Sequence, residues 1–131
     1  MPDAYLMDTH ALLFWANKEN VSDEFVDFFD AQNDSGNLAV SSISFWEIAL
    51  LAKKGRIELD DVEAWRTRLL EHAHITEVSP TASDMIESVN LPEHHKDPFD
   101  RLLVVQAVNN NSFLVTRDDL ITKYKVETFW I

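Results

Sequence analysis

Short apolar segments separated by stretches of helical periodicity constrain this chain more than any other feature. Ala4–Met7, Leu38–Ser41, residues 75–78 and residues 113–116 have the length and apolar character of strands buried on both faces. Helical patterns lie between them: residues 11–16, residues 24–31 behind a capping Ser22, residues 45–54 stopped at Gly55, residues 61–72, residues 80–90, and residues 98–109 with Pro98 in the first turn. A short helix over 119–124 and an edge strand over 126–129 complete the pattern. Strands that alternate with helices build a parallel sheet covered on both faces, and sites on such sheets form outside the carboxyl ends of the strands. The 131 residues suit one domain over 1–131, long enough to bury roughly two-thirds of the unfolded surface.

Composition closes off several kinds of chemistry. There is no cysteine, which removes disulfides, thiolate zinc sites and cysteine nucleophiles and fits a cytoplasmic setting. The only glycines are Gly36 and Gly55, so neither a phosphate-cradling GxxxxGK[ST] loop nor GxGxxG exists. Ser41, Ser42 and Ser44 lack a G-x-S-x-G context, and the start at Met1 does not read as a signal peptide. No apolar run approaches about 18 residues, so no membrane span is expected. With 23 acidic and 11 basic residues the net charge is −12, which opposes broad electrostatic coating of nucleic acid.

The acids are placed where a parallel sheet would use them. Asp8 closes the first strand, Glu47 falls in the first turn after the second, Asp118 lies just past the fourth, and Asp100 opens the helix before it. Each has an ordinary structural explanation as well. Asp8 can cap a helix, Ser44 to Glu47 reads as a capping box, and Asp97-Pro98-Phe99-Asp100 reads as a cap, a proline and a dipole-facing acid. Together, however, four carboxylates on one sheet edge would repel by several kcal/mol and raise one another's pKa unless a cation joined them. Oxygen donors without nitrogen or sulfur suit Mg²⁺ or Mn²⁺, and such ions promote phosphodiester hydrolysis.

Four blocks of residues then resemble a known family. Asp8-Thr9-His10-Ala11-Leu12-Leu13, Ser41-x-x-Ser44-x-Trp46-Glu47-Ile48-Ala49, the run from His95 through Asp97-Pro98-Phe99-Asp100-Arg101 to Leu103, and Leu114-Val115-Thr116-Arg117-Asp118 resemble the PIN domain. More narrowly they look like the VapC-type toxin ribonucleases of toxin–antitoxin pairs, in the family's order and over almost the whole chain. The resemblance implies a three-layer α/β/α fold with a short central parallel sheet and a Mg²⁺- or Mn²⁺-dependent endoribonuclease. It carries the acidic constellation onto Asp8, Glu47, Asp100 and Asp118, and supporting roles onto Thr9 and Thr116. Asp97 is left open between cap, outer-shell residue and ligand. Arg117 stands where many PIN sequences have asparagine. The resemblance also implies a homodimer and a small VapB-type antitoxin that offers a basic side chain to the acids.

On this reading Asp8, Asp100 and Asp118 hold the metal, and Glu47 ligates it or acts as general base. Thr9 and Thr116 orient the ligands. RNA, tRNA or another structured RNA included, is the expected substrate, cut to leave a 5′-phosphate. Arg101 and Arg117 either bind the scissile phosphate or pair with a carboxylate, and His10 is a further substrate-binding candidate. The pairs His72/His74 and His94/His95 lack metal-ligand spacing and are expected at the surface. Trp46 belongs to a set of aromatics expected mostly in the core, with some of the excess at a dimer seam. Two rivals are a metal-dependent phosphatase, which would want D-x-D where this chain has Asp8-Thr9-His10, and a PIN-like module that binds RNA or protein without cutting.

Overall fold

The computed structural model describes residues 3–131; Met1 and Pro2, which open the start read above, lie outside them. Five strands form one sheet: β1 (Ala4–Met7), β2 (Leu38–Ser41), β3 (Thr76–Val78), β4 (Ser112–Val115) and β5 (Thr128–Phe129). All pairings are parallel and the order is β3-β2-β1-β4-β5. Six α-helices connect them: α1 (Thr9–Asn17), α2 (Asp23–Asp34), α3 (Ser42–Lys53), α4 (Val62–His72), α5 (Ala82–Val89) and α6 (Pro98–Asn109). A single 3₁₀ turn, Ile121–Lys123, stands where the sequence suggested a longer helix over 119–124.

The pleat sorts neighbouring residues onto opposite faces. Met7 and Val115 join Leu12, Phe25, Phe29 and Ile48 on one side, whereas Leu6 and Leu114 join Leu103, Val104 and Ile121 on the other. These two apolar layers cover both faces of the sheet and give the three-layer α/β/α arrangement. Phe25 and Phe29 are fully buried, and each such side chain contributes about 1.5–3 kcal/mol of transfer free energy. Tyr5 meets Phe28, Phe29, Phe113 and Phe129 at ring separations of 5.3–5.6 Å, which ties β1 and β4 to α2.

Topology then positions the site. From β1 the chain winds outward through β2 to β3, then returns to place β4 on the other side of β1. The seam between β1 and β4 is the point where the winding reverses, which is where open α/β sheets bind ligands. Among the described residues no helix is long and apolar enough to cross a membrane.

Candidate active site

Asp8 leaves the end of β1 and caps α1, accepting from the Ala11 backbone N–H at 2.7 Å. The cap role is real, and it also fixes the carboxylate at the sheet edge. Thr116, just past β4, accepts from the Asp118 N–H at 3.1 Å, and its side chain works to lower the Asp8 carboxyl. One side chain therefore bears on the acids that follow the two central strands. Asp118 closes the turn by accepting from Leu120 N–H at 2.9 Å.

Glu47 arrives differently from the expected capping box. Ser41, not Ser44, caps α3, and the helix starts at Ser42, so Glu47 lies in its second turn. Ser44 is fully buried inside the helix. The Thr9 hydroxyl lies 3.1 Å from Ser44 Oγ and donates to Glu47 Oε1 at 2.6 Å. A tertiary contact, not helix capping, aims this carboxylate.

Asp97 does cap α6, accepting from Phe99 N–H at 2.9 Å, with Pro98 in the first turn. Helix α6 runs antiparallel to β4, so its N-terminus lies at the carboxyl edge of the sheet, and Asp100 comes with it. Asp8, Glu47, Asp97, Asp100 and Asp118 thus line one cavity of about 270 Å³, together with His10, Phe14, Arg117 and Trp130.

The electrostatics match that crowding. Burial, followed by the charges of Asp97, Asp8 and Glu47, pushes the Asp100 carboxyl up to about 8. Burial also raises Asp8, against the hydrogen bonds from Ala11 and Thr116, and raises Glu47 despite the Thr9 donor. For Asp118 burial pushes upward, but His95 and the Leu120 backbone donor outweigh it, and the carboxyl is held below its usual range. Hard carboxylate oxygens that cannot all ionise side by side fit a divalent cation.

His95, expected at the surface, lies behind this cavity with its side chain only 11 % exposed. Its Nε2 is 2.8 Å from Asp118 Oδ2 and 3.2 Å from Asp100 Oδ2. The residue's position two before the α6 cap was the available signal, since an N-terminal turn folds such a residue back over the first helical turn. His94 is exposed, as expected.

Arg101 corrects another expectation. It is 8 % exposed, and its guanidinium donates to the carbonyls of Ser88, Val89, Leu91, Pro92 and His95 and to Tyr124 Oη. With its donors turned onto the α5–α6 loop, it is not presented to a phosphate. Arg117 does line the cavity, held over Phe14 at 4.9 Å and Trp130 at 5.3 Å, with Nη1 on Asn20 C=O at 3.3 Å. Among the described residues it forms no ion pair with the acids beside it. Phe14 had no sequence signal, because its role depends on residues more than a hundred positions away. Trp46 is 62 % exposed, outside the core, and stacks edge-on with Phe99 at 5.0 Å.

Residues 5–127 match the family model described as PIN domain. The chain belongs to the PIN domain family. Within it, this PIN protein is 31% identical over 123 residues to Ribonuclease VapC22 of Mycobacterium tuberculosis (strain ATCC 25618 / H37Rv), covering 92% of this chain and 91% of that one. It is similar in structure to a chain of a toxin–antitoxin complex from Klebsiella pneumoniae, at TM-score 0.56 and 25% identity over 88% of this chain and 87% of that one. A chain of VapBC2 from Rickettsia felis, bound to a DNA fragment from its promoter, shares the fold at TM-score 0.69 and 17% identity, over 95% and 96% of the two chains.

Proposed function

We propose that this PIN protein is a divalent-metal-dependent endoribonuclease, the toxin of a toxin–antitoxin pair, acting in the cytoplasm as a single domain. The convergence of Asp8, Glu47, Asp100 and Asp118 on one cavity carries the reading. Its 31% identity to a ribonuclease over most of both chains, and its likeness to a toxin–antitoxin complex, support it. Asp8, Asp100 and Asp118 would hold Mg²⁺ or Mn²⁺, which supplies charge neutralisation and water activation at a phosphodiester. Glu47, its carboxylate raised by burial, accepts a proton from the attacking water. In that in-line step the water oxygen bonds to phosphorus, the P–O3′ bond breaks, and the leaving 3′-oxygen takes up a proton, giving a 5′-phosphate and a 3′-hydroxyl. Asp97 remains a cap that adds negative charge to the cavity rim.

The net charge of −12 and the acidic cavity suit a small antitoxin that inserts a basic side chain. A homodimer would bury exposed Met85, Ile86 and Val89 of α5 and Val108 of α6. Incubation of purified protein with labelled tRNA and other RNAs should give cleavage with Mn²⁺ or Mg²⁺, none with EDTA, and products bearing a 5′-phosphate. Cleavage that persists in EDTA would overturn the metal requirement. RNA bound but never cut would favour the silent module, and phosphate release from small phosphomonoesters would favour the phosphatase.

Arg117 is the cation this site holds ready for RNA phosphate, because its aromatic seat keeps it off the acids. Arg117→Ala is expected to raise KM about tenfold with little change in kcat, the loss of one charge-assisted contact. Lysine should not substitute, lacking the planar face that lies over Phe14 and Trp130. Equal KM values for wild type and Arg117→Ala would remove the arginine from the substrate site.

Metal-free stability should depend on pH through Asp100. Its folded-state value of about 8 lies above the ordinary 3.8, so its contribution is fully present only below 3.8 and is lost progressively as pH rises from there through 8. Calorimetry between pH 5.5 and 8.5 should show Tm falling with pH. The slope should flatten in Asp100→Asn or with Mg²⁺ present. A Tm that rises across this window in the metal-free protein would contradict the assignment.

A further inference from the structure

Asp100 and Asp118 come from different elements, α6 and the loop after β4, and something must fix their separation before a cation arrives. We propose that His95 is a positioning residue that does this by donating its Nε2–H to the Asp118 carboxylate while packing against the Asp100 carboxylate, as a donor and not as a metal ligand. The inference rests on the metal-dependent reading above.

The tautomer follows from geometry. Asp97 N–H donates to His95 Nδ1 at 3.0 Å, so Nδ1 carries no hydrogen and the ring proton sits on Nε2. That N–H is hydrogen-bonded to Asp118 Oδ2 at 2.8 Å, and the same nitrogen lies 3.2 Å from Asp100 Oδ2. A metal-ligating histidine needs the opposite arrangement, with one bare nitrogen toward the ion and the other N–H donating to a neighbour. Here a hydrogen on Nδ1 would collide with the Asp97 N–H. The ligand-capable atoms of His95, Asp100 and Asp118 all lie within 4.8 Å of one another, yet the imidazole is oriented as a donor.

The backbone of His95 is held from both sides. Its N–H donates to Tyr124 Oη at 2.9 Å, and its carbonyl accepts from Arg101 Nη1 at 3.1 Å. A clamped residue with a pinned ring is a fixed reference between two otherwise independent acids.

Electron paramagnetic resonance of free Mn²⁺ over metal-free protein measures the effect. His95→Ala is expected to weaken Mn²⁺ binding by about 10–100-fold, the usual cost of losing an outer-shell partner. His95→Gln, which can place an N–H near the Nε2 position, should stay close to wild type. His95→Asn, which is too short, should behave like alanine. Loss of packing alone would not rank glutamine above asparagine, and this pair decides the matter even where the alanine variant fails to fold. Nitrogen-15 spectra of the imidazole should show the hydrogen on Nε2 with and without Mg²⁺. Unchanged Mn²⁺ affinity in His95→Ala, a hydrogen on Nδ1, or nitrogen-14 coupling from a directly bound imidazole would each overturn the proposal. Wild-type protein that binds no Mn²⁺ would sink the metal reading and this one with it, whereas failure of the variants alone sinks only the role of His95.

Discussion

Asp8→Asn is expected to lower RNA cleavage by about a thousandfold or more while the protein remains folded. Asparagine caps helices as well as aspartate does, so its side-chain oxygen can still accept from Ala11 N–H and α1 keeps its start. What disappears is a buried negative charge at the end of β1. Because burial already works against that charge, the metal-free variant should melt at or above the wild-type temperature. It should also lose the rise in Tm that Mg²⁺ gives the wild type. Cleavage assays with saturating Mn²⁺ and paired melting curves separate a missing ligand from a missing fold. Full activity in metal-replete buffer would remove Asp8 from the reaction.

Arg101→Ala should have the largest effect on stability, a loss of about 3 kcal/mol or more in urea unfolding, because several buried carbonyls lose their donor at once. The five carbonyls it serves cluster at the end of α5 and in the loop before α6, and truncation leaves them short of donors in a site too enclosed for easy hydration. Arg101→Lys should recover little, since one ammonium cannot reach carbonyls spread around a planar fork. Arg117→Ala, at the exposed cavity wall, should unfold within about 0.5 kcal/mol of wild type. A wild-type urea midpoint for Arg101→Ala would refute the account of this loop.

Two arginines beside two aspartates thus look alike in sequence and differ completely in space. Arg101 follows Asp100 on a buried face of α6, so it turns inward to the carbonyls of α5. Arg117 precedes Asp118 in an exposed turn and lies across Phe14 and Trp130. Nothing local distinguishes them, because what decides is which element packs over each.

The capping signals divide in the same way. Asp97 and Asp8 cap the helices the sequence assigned to them, since a cap depends only on the next three residues. Ser44 to Glu47 also matched a capping box, but the apolar strand runs straight into α3 and Ser41 takes the cap instead. Glu47 was thereby freed to meet Thr9, a contact across thirty-eight positions that no local pattern encodes.

By itself the sequence determined the parallel α/β layering, because hydrophobic period and strand length are local properties of the chain. It also marked Asp8, Glu47, Asp100 and Asp118, because acids that follow apolar strands or open helices must lie at the sheet edge. Tertiary structure alone decided which side chains face those acids. The reversal of winding between β1 and β4 brings α6, the β4 turn and Trp130 to one rim, where the hydrogen bonds and ring faces of His95, Arg117 and Phe14 acquire partners that are remote along the chain or set by the folded turn.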